Sequence, residues 1–176
     1  MNQLSLTTPR LLLRPVEKDD QQKVFEGFSH PKVTKFFDIT YATFEDTVVQ
    51  IEWYKKNRET GLGYAWVVSN IEHPFMGVFS IYRIDNTNKR CELGYWLFPE
   101  YWGKGYAAES INAILQFVEN DLKLHRIAAE VEPENTDSIT LLDRLGFERE
   151  AFLRDYEYRN GKYNNLEIWA KLFPDN

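Results

Sequence analysis

The chain has very few of the residues that build disulfides and metal centres. Its 176 residues include one cysteine, Cys91, and three histidines. A lone thiol forms no internal disulfide and no cysteine-based metal cluster. The histidines lie far apart and lack the i, i+4 spacing of a helical ligand pair. We therefore expect no metal site, and the single cysteine indicates a reducing, cytoplasmic location.

Long apolar runs and an excess of positive charge are also missing. In the first twenty residues only positions 11–13 form an uninterrupted apolar run, which is too short for a signal peptide or a membrane span. The 21 basic and 27 acidic side chains give a net charge of −6 and a pI near 5.2. An acidic chain is a poor ligand for a phosphate backbone, so we expect neither a membrane nor a nucleic acid as partner.

What the chain does contain is material for one packed domain. Apolar residues make up 43% of it and aromatic residues 15%, which excludes a disordered or collagen-like chain. A length of 176 residues fits a single domain. No repeat, linker or low-complexity tract divides the sequence, so residues 1–176 are treated as one unit.

Hydrophobic periodicity predicts alternating strands and helices. Strands are expected at residues 11–14, 64–69, 75–84, 91–98 and 126–132, with a hairpin over 147–172 that turns at Asn160 and Gly161. Asn-Gly is suited to a type I′ turn. The predicted order β-α-α-β-β-β-α-β-α-β-β describes an α+β domain with a mixed sheet.

Four helices are predicted between these strands. The first begins near Asp19, and the last covers residues 135–145. The second is expected from Thr43, where Thr43 and Asp46 resemble a capping box, to Gly61. The third follows a glycine-rich loop directly. The apolar stripes predicted for the second and third helices are Phe44, Val48 and Ile51, and Ile111, Ile114, Leu115 and Val118.

Two segments carry a family resemblance. GYWLFPEYWGKGYAAES and VEPENTDSITLLDRLGF, in this element order, resemble the Gcn5-related N-acetyltransferases (GNAT), and within them the ribosomal-protein N-terminal acetyltransferase branch. The resemblance extends over nearly the whole chain, from the RLLLR start at residues 10–14 to the NGKY turn. It implies an α/β sandwich whose mostly antiparallel sheet of about seven strands is flanked by helices and splays between the fourth and fifth strands.

The segment WGKGYA lies between a predicted strand and a predicted helix. Glycines allow close backbone approach, and the free N–H groups of a helix N-terminus form an anion site suited to a pyrophosphate. A tight turn without a ligand is the alternative. The resemblance assigns the loop to acetyl-CoA, with a tryptophan in place of the usual Gln or Arg. The expected cofactor contacts there are Trp102, Gly103, Lys104, Gly105, Tyr106 and Ala107.

The resemblance also implies contacts to the pantetheine arm and a group that assists the leaving thiolate. The arm is expected to insert between the splayed strands and to bond backbone groups near Leu97 and Phe98. Asn135 is expected to contact the arm, and Ser138 to lie near the thioester sulfur, with helix capping as the alternative for both. Many relatives carry a tyrosine acid seven residues after the Asn, where this chain has Leu142.

A carboxylate on the neighbouring strands is the expected general base. Glu92 is the first choice, and Glu130 or Glu132 is the reserve. The resemblance places the acceptor pocket in the first helical region, although aromatic residues at helical spacing are more often core than pocket. Its candidate lining is Phe36, Phe37, Tyr41, Trp53 and Tyr54.

Taken together, these residues predict an enzyme that moves an acetyl group from acetyl-CoA to a primary amine. A protein N-terminal amine is the preferred acceptor. A small-molecule amine, such as an antibiotic, a polyamine or a metabolite, is the alternative. A non-catalytic module that only binds acyl-CoA is the third reading, and a homodimer is left open.

Overall fold

The computed structural model describes residues 4–174, which form an eight-stranded sheet with helices on both faces. The strands are β1 (Leu6–Thr7), β2 (Leu12–Pro15), β3 (Tyr64–Ser69), β4 (Gly77–Asp85), β5 (Arg90–Leu97), β6 (Arg126–Val131), β7 (Glu148–Arg159) and β8 (Lys162–Leu172). The helices are α1 (Gln21–Phe28), α2 (Val48–Thr60), α3 (Tyr106–Asn120) and α4 (Thr136–Arg144).

The sheet is mixed and mostly antiparallel, which confirms the predicted fold class. Its spatial order is β1-β2-β3-β4-β5-β6-β8-β7, and only β5 and β6 run parallel. A parallel pair needs a crossover, which α3 supplies. The eighth strand is β1, which was not predicted because two residues are too few to show an alternating pattern.

The parallel pair separates soon after it begins. Its ladder runs from the pair of Arg90 and Arg126 to the pair of Glu92 and Ala128. Beyond this point β5 continues to Leu97 and β6 to Val131 without pairing. This gap confirms the splay predicted between the fourth and fifth strands, which become β5 and β6 once β1 is counted.

The two faces of the sheet carry separate apolar cores. The core shared with α3 and α4 contains the whole stripe predicted for the third helix, together with Leu142. The core shared with α1 and α2 contains Val24, Phe28 and Tyr54. Along β5 the side chains alternate between these cores, so that Tyr95 and Trp96 lie on opposite faces.

The stripe predicted for the second helix is only partly correct. Thr43 Oγ1 accepts the N–H of Asp46 at 3.2 Å, as the capping pattern predicts. Residues 45–47 then form a 3₁₀ turn, and α2 begins at Val48. Because a 3₁₀ turn has three residues per turn, the turn changes the angular position of Phe44 relative to Ile51. Both Phe44 and Val48 are exposed. The residues that α2 buries are Gln50, Ile51 and Tyr54.

The C-terminal hairpin turns where the sequence predicts. Asn160 and Gly161 both have positive φ, at 53° and 77°, as the central residues of a type I′ turn do. None of the helices within residues 4–174 is long and apolar enough to cross a membrane.

Candidate active site

The loop between β5 and α3 forms a cradle of free backbone amides. Gly103 and Gly105 have φ values of 70° and 79°, which only glycine adopts readily. Within residues 4–174, the N–H groups of residues 103–108 donate no hydrogen bond, and the first bond into α3 runs from Glu109 N to Gly105 O at 3.1 Å. The cradle therefore presents six consecutive donors at the positive end of a 15-residue helix.

Two cationic side chains flank this cradle. Lys104 belongs to the loop itself, and Arg10 reaches it from the start of the chain. The Arg10 Nη1 donates to Lys104 O at 3.1 Å, and its Nε donates to Glu109 Oε2 at 2.6 Å. Its guanidinium also lies 4.9 Å from the centre of the Tyr106 ring. Sequence reasoning noted Arg10 only as part of the RLLLR start, because its position depends on how β2 meets α3.

Trp102 anchors the cradle to the end of β5. Its indole N–H donates to Leu97 O at 2.8 Å. The tryptophan that replaces the usual polar residue thus forms a hydrogen bond that fixes the loop against the gap. The loop geometry does not depend on a Gln or Arg at this position.

The backbone of β5 offers unpaired groups to the gap. Phe98 N–H donates to Met76 O at 2.9 Å, on the β4 side. Because N–H and C=O directions alternate along a strand, the backbone groups of Tyr95 and Leu97 point the other way, toward β6. Of the two residues expected near the pantetheine arm, Leu97 therefore faces the gap, and the Phe98 N–H does not.

The first turn of α4 brings Ser138 against β5. Asn135 Oδ1 accepts the Ser138 N–H at 3.3 Å, so Asn135 does cap the helix. Its Nδ2 makes no hydrogen bond in the described part of the chain. Ser138 Oγ lies 2.5 Å from the Tyr95 hydroxyl, and burial raises the pKa of Tyr95 to about 12. Tyr95 was missed in the sequence because no motif distinguishes it from a core residue.

Glu132 is engaged in a structural contact. It is buried and forms an ion pair with Arg159, whose own side chain is 12% exposed. The Nη1 of Arg159 also donates to Lys35 O at 3.1 Å and to Phe37 O at 2.9 Å. Glu132 therefore holds the hairpin and the loop after α1 together, which leaves it poorly placed to accept a proton from a substrate.

Glu92 and Glu130 lie on the α1/α2 face where the β5–β6 ladder ends. Both oxygens of Glu92 accept hydrogen bonds from Arg83 Nη1, at 3.0 and 3.2 Å. Glu130 is exposed and has no hydrogen bond or ion pair within residues 4–174. Partial burial of its carboxylate, and then repulsion by Glu92 and Asp38, raise the pKa of Glu130, while Arg83 opposes the shift.

The aromatic residues near this face divide between core and rim. Tyr54 is buried, and Phe37 and Tyr41 contact Phe28 edge to face at 5.8 and 5.7 Å. Trp53 is 40% exposed and contacts Tyr82, which belongs to the same face as Glu92. Tyr54 therefore belongs to the core, whereas Trp53 and the half-buried Phe36, Phe37 and Tyr41 remain candidates for the lining.

The geometry is that of a nucleotide cradle beside an open, two-faced gap. Residues 10–148 match the family model described as an acetyltransferase (GNAT) domain. The chain belongs to the GNAT acetyltransferases. As a GNAT enzyme it uses acetyl-CoA as its acyl donor, and the free amides, the flanking cations and the unpaired β5 backbone fit that cofactor. No group of three metal-ligating side chains occurs within residues 4–174.

Three relatives place this GNAT enzyme among amine acetyltransferases. The uncharacterized N-acetyltransferase p20 of Bacillus licheniformis is 34% identical over 173 residues, covering 96% of each chain. The [ribosomal protein uS5]-alanine N-acetyltransferase of Escherichia coli is 35% identical over 85 residues, covering 48% of this chain and 44% of its own. The structure of spermidine N-acetyltransferase from Vibrio cholerae, in complex with CoA and spermine, has a TM-score of 0.84 at 25% identity, covering 94% of this chain and 96% of its own.

The cradle makes a first prediction that separates cofactor binding from backbone strain. Gly105→Ala places a Cβ 3.3 Å from Arg10 Nη2, whereas Gly61→Ala, at a similar φ of 69°, meets nothing within 4 Å. Each left-handed alanine should cost about 1–2 kcal/mol of stability. Only Gly105→Ala should also weaken CoA binding, by about 10-fold or more in calorimetry, which equals about 1.4 kcal/mol. Equal CoA affinity in both variants would show that the loop is only a turn.

The contacts among the carboxylates lead to a second prediction, which concerns the pKa of Glu130. Removing the negative charge of Glu92 and freeing Arg83 both make ionisation of Glu130 easier, so Glu92→Gln should lower the pKa of Glu130. A carbon-detected NMR titration of the glutamate carboxyl groups measures this. Glu72→Gln, at a side chain that is 84% exposed, is the control and should leave the titration unchanged. A Glu130 pKa that is the same in wild type and Glu92→Gln would contradict the arrangement.

Proposed function

We propose that this GNAT enzyme acetylates the α-amine of a protein N-terminus, in the manner of the ribosomal-protein acetyltransferases. The observation that carries the proposal is the gap between β5 and β6. Its α1/α2 face holds the carboxylates Glu92 and Glu130, and its α3/α4 face holds Ser138. Transfer between a thioester and an amine needs a proton acceptor near the amine and a donor near the sulfur, and the gap has one on each side.

The two faces take different steps of the reaction, since the α1/α2 face accepts the amine proton and the α3/α4 face stabilises the leaving thiolate. The neutral amine attacks the thioester carbonyl carbon, whose oxygen is stabilised by a β5 backbone N–H that points into the gap, from Tyr95 or Leu97. The amine proton passes to a carboxylate on the α1/α2 face. The C–S bond then breaks, and its electron pair leaves with the sulfur. Ser138 donates a hydrogen bond to the resulting thiolate, which takes a proton from solvent.

Glu130 is the better placed of the two carboxylates to accept the proton. Both carboxylate oxygens of Glu92 accept hydrogen bonds from Arg83, so Glu92 is less available to a substrate. Glu130 is exposed toward the acceptor side and has a raised pKa, which strengthens it as a base. Glu92, the first choice from sequence, then acts by raising the pKa of Glu130.

An α-amine suits this modest base. Its pKa is about 7.7–8.0, against about 10.4 for a lysine amine, so a substantial fraction is already neutral near pH 7. The similarity to the uS5-alanine enzyme points the same way.

A polyamine is the second candidate acceptor. Partial burial and then the charges of Glu92 and Asp38 raise the pKa of Glu130, and partial burial and then the charges of Asp38 and Glu130 raise the pKa of Glu157. These four carboxylates therefore share one acidic region, and such a field attracts a polycation. The similar structure from Vibrio cholerae contains spermine.

The third prediction is tested by a turnover assay, which distinguishes the two candidate acceptor amines. Wild type with acetyl-CoA should release free CoA with short peptides that begin with Ala or Ser, at a higher kcat/KM than with spermidine. Mass spectrometry should place one acetyl group on the α-amine. The same peptides with a blocked N-terminus but a free lysine are the control and should react at least about 10-fold more slowly, because the lysine amine is mostly protonated. A preference for spermidine would replace the α-amine proposal, and binding of CoA without turnover on any amine would favour the binding-module alternative.

The assignment of Glu130 as the proton acceptor leads to the fourth prediction. Glu130→Gln should lower kcat by about 100-fold and remove the low-pH limb of the kcat profile. Glu92→Gln should keep most of the activity and move that limb to lower pH, because the pKa of Glu130 falls. If Glu92→Gln causes the larger loss and removes the limb, Glu92 is the base instead.

A further inference from the structure

One side chain beside the gap has no place in the mechanism above. Tyr95 projects from β5 toward α3 and α4, where its ring stacks on Phe79 with a centroid distance of 5.3 Å and an angle of 18° between the planes. Its hydroxyl reaches Ser138 Oγ at 2.5 Å. A stacked ring on a central strand and a residue in the first turn of α4 are both fixed by their elements, so this contact has a defined geometry.

The direction of this hydrogen bond decides what Ser138 can do. A serine hydroxyl has one hydrogen to donate and two lone pairs that accept. If Ser138 donates to Tyr95, no hydrogen remains for the thioester sulfur. If Tyr95 donates to Ser138, the serine hydrogen is free to point into the gap, and the accepted bond polarises the serine as a donor.

We propose that Tyr95 is a positioning residue, which donates to Ser138 Oγ and thereby directs the Ser138 hydroxyl toward the sulfur that leaves. This inference rests on the proposed function, in which Ser138 bonds the departing thiolate. It also gives the chain a phenol near the leaving group from β5, although Leu142 occupies the helix position where many relatives carry a tyrosine.

Tyr95 keeps its own proton throughout the reaction. Its pKa is about 12 because of burial, whereas a thiol such as that of CoA has a pKa near about 8.5 by analogy with cysteine. Transfer of the phenol proton to the thiolate would run uphill by a factor of about 10³ in equilibrium constant. The dyad therefore stabilises the thiolate through hydrogen bonds, and the proton that completes CoA comes from solvent.

A double-mutant cycle tests the inference on the whole protein. Tyr95→Phe keeps the stacked ring and removes only the hydroxyl. It should lower kcat about 2- to 10-fold, the equivalent of one neutral hydrogen bond, with little change in KM for acetyl-CoA or in the pH profile between pH 6 and 9. In a Ser138→Ala background the same substitution should change kcat less than about 2-fold. Tyr64→Phe is the matched control, since Tyr64 packs against the same core and contacts Trp66 and Phe117, and it should leave kcat unchanged.

The outcomes separate this inference from the proposed function. Unchanged kcat in Tyr95→Phe, or the same fold-loss with and without Ser138, would overturn the positioning role while wild-type turnover still supports acetyl transfer. A high-pH limb in the wild-type kcat profile that is absent from Tyr95→Phe would show that Tyr95 acts as an acid itself. That result would also overturn the positioning role. A wild type that binds CoA but acetylates no amine would overturn both. If thermal melting shows that Tyr95→Phe is unstable, Tyr95→3-fluorotyrosine is the second variant, because it keeps the hydroxyl. It should retain the wild-type kcat at pH 7. A large loss of kcat in this variant would contradict hydrogen-bond positioning.

Discussion

The short ladder between β5 and β6 is the constraint on which the rest of the site depends. Three residue pairs join the two strands before they separate. Unpaired backbone groups in the middle of a sheet are costly unless another polar partner satisfies them. The Trp102 indole satisfies one of them at Leu97, and an extended, amide-bearing cofactor arm is chemically suited to satisfy others. The gap is also open to both faces of the sheet, so that groups on opposite faces can reach the same bond.

Much of the fold was predictable from the sequence because each element has its own local signal. The α3 stripe recurs at helical spacing, and the Asn160-Gly161 turn has the two positive φ values that its residues favour. The start of α2 was mispredicted because a 3₁₀ turn at residues 45–47 precedes the helix, which begins only at Val48. β1 was missed because two residues carry no period.

The site was predictable only where its residues are contiguous. The WGKGYA cradle and the Asn135 to Ser138 turn are single segments, and the structure places both beside the gap. Contacts between distant segments carry no such signal. Arg10 reaches Glu109 across 99 positions, and Tyr95 reaches Ser138 across 43. Likewise, the sequence does not show that arginines from other strands pair with Glu92 and Glu132, while Glu130 has no such partner within residues 4–174.

The ion pair of Glu132 and Arg159 has a consequence for how this enzyme can diversify. Arg159 lies at the end of β7, next to the hairpin turn, yet it holds the carbonyls of Lys35 and Phe37 in the loop after α1. Breaking a buried ion pair by removing one partner costs about 3–5 kcal/mol, so this loop is held from the opposite end of the chain. The cradle and α3 are not part of that connection. Substitutions in the tail can therefore shift the loop after α1 during evolution while the cradle is inherited unchanged.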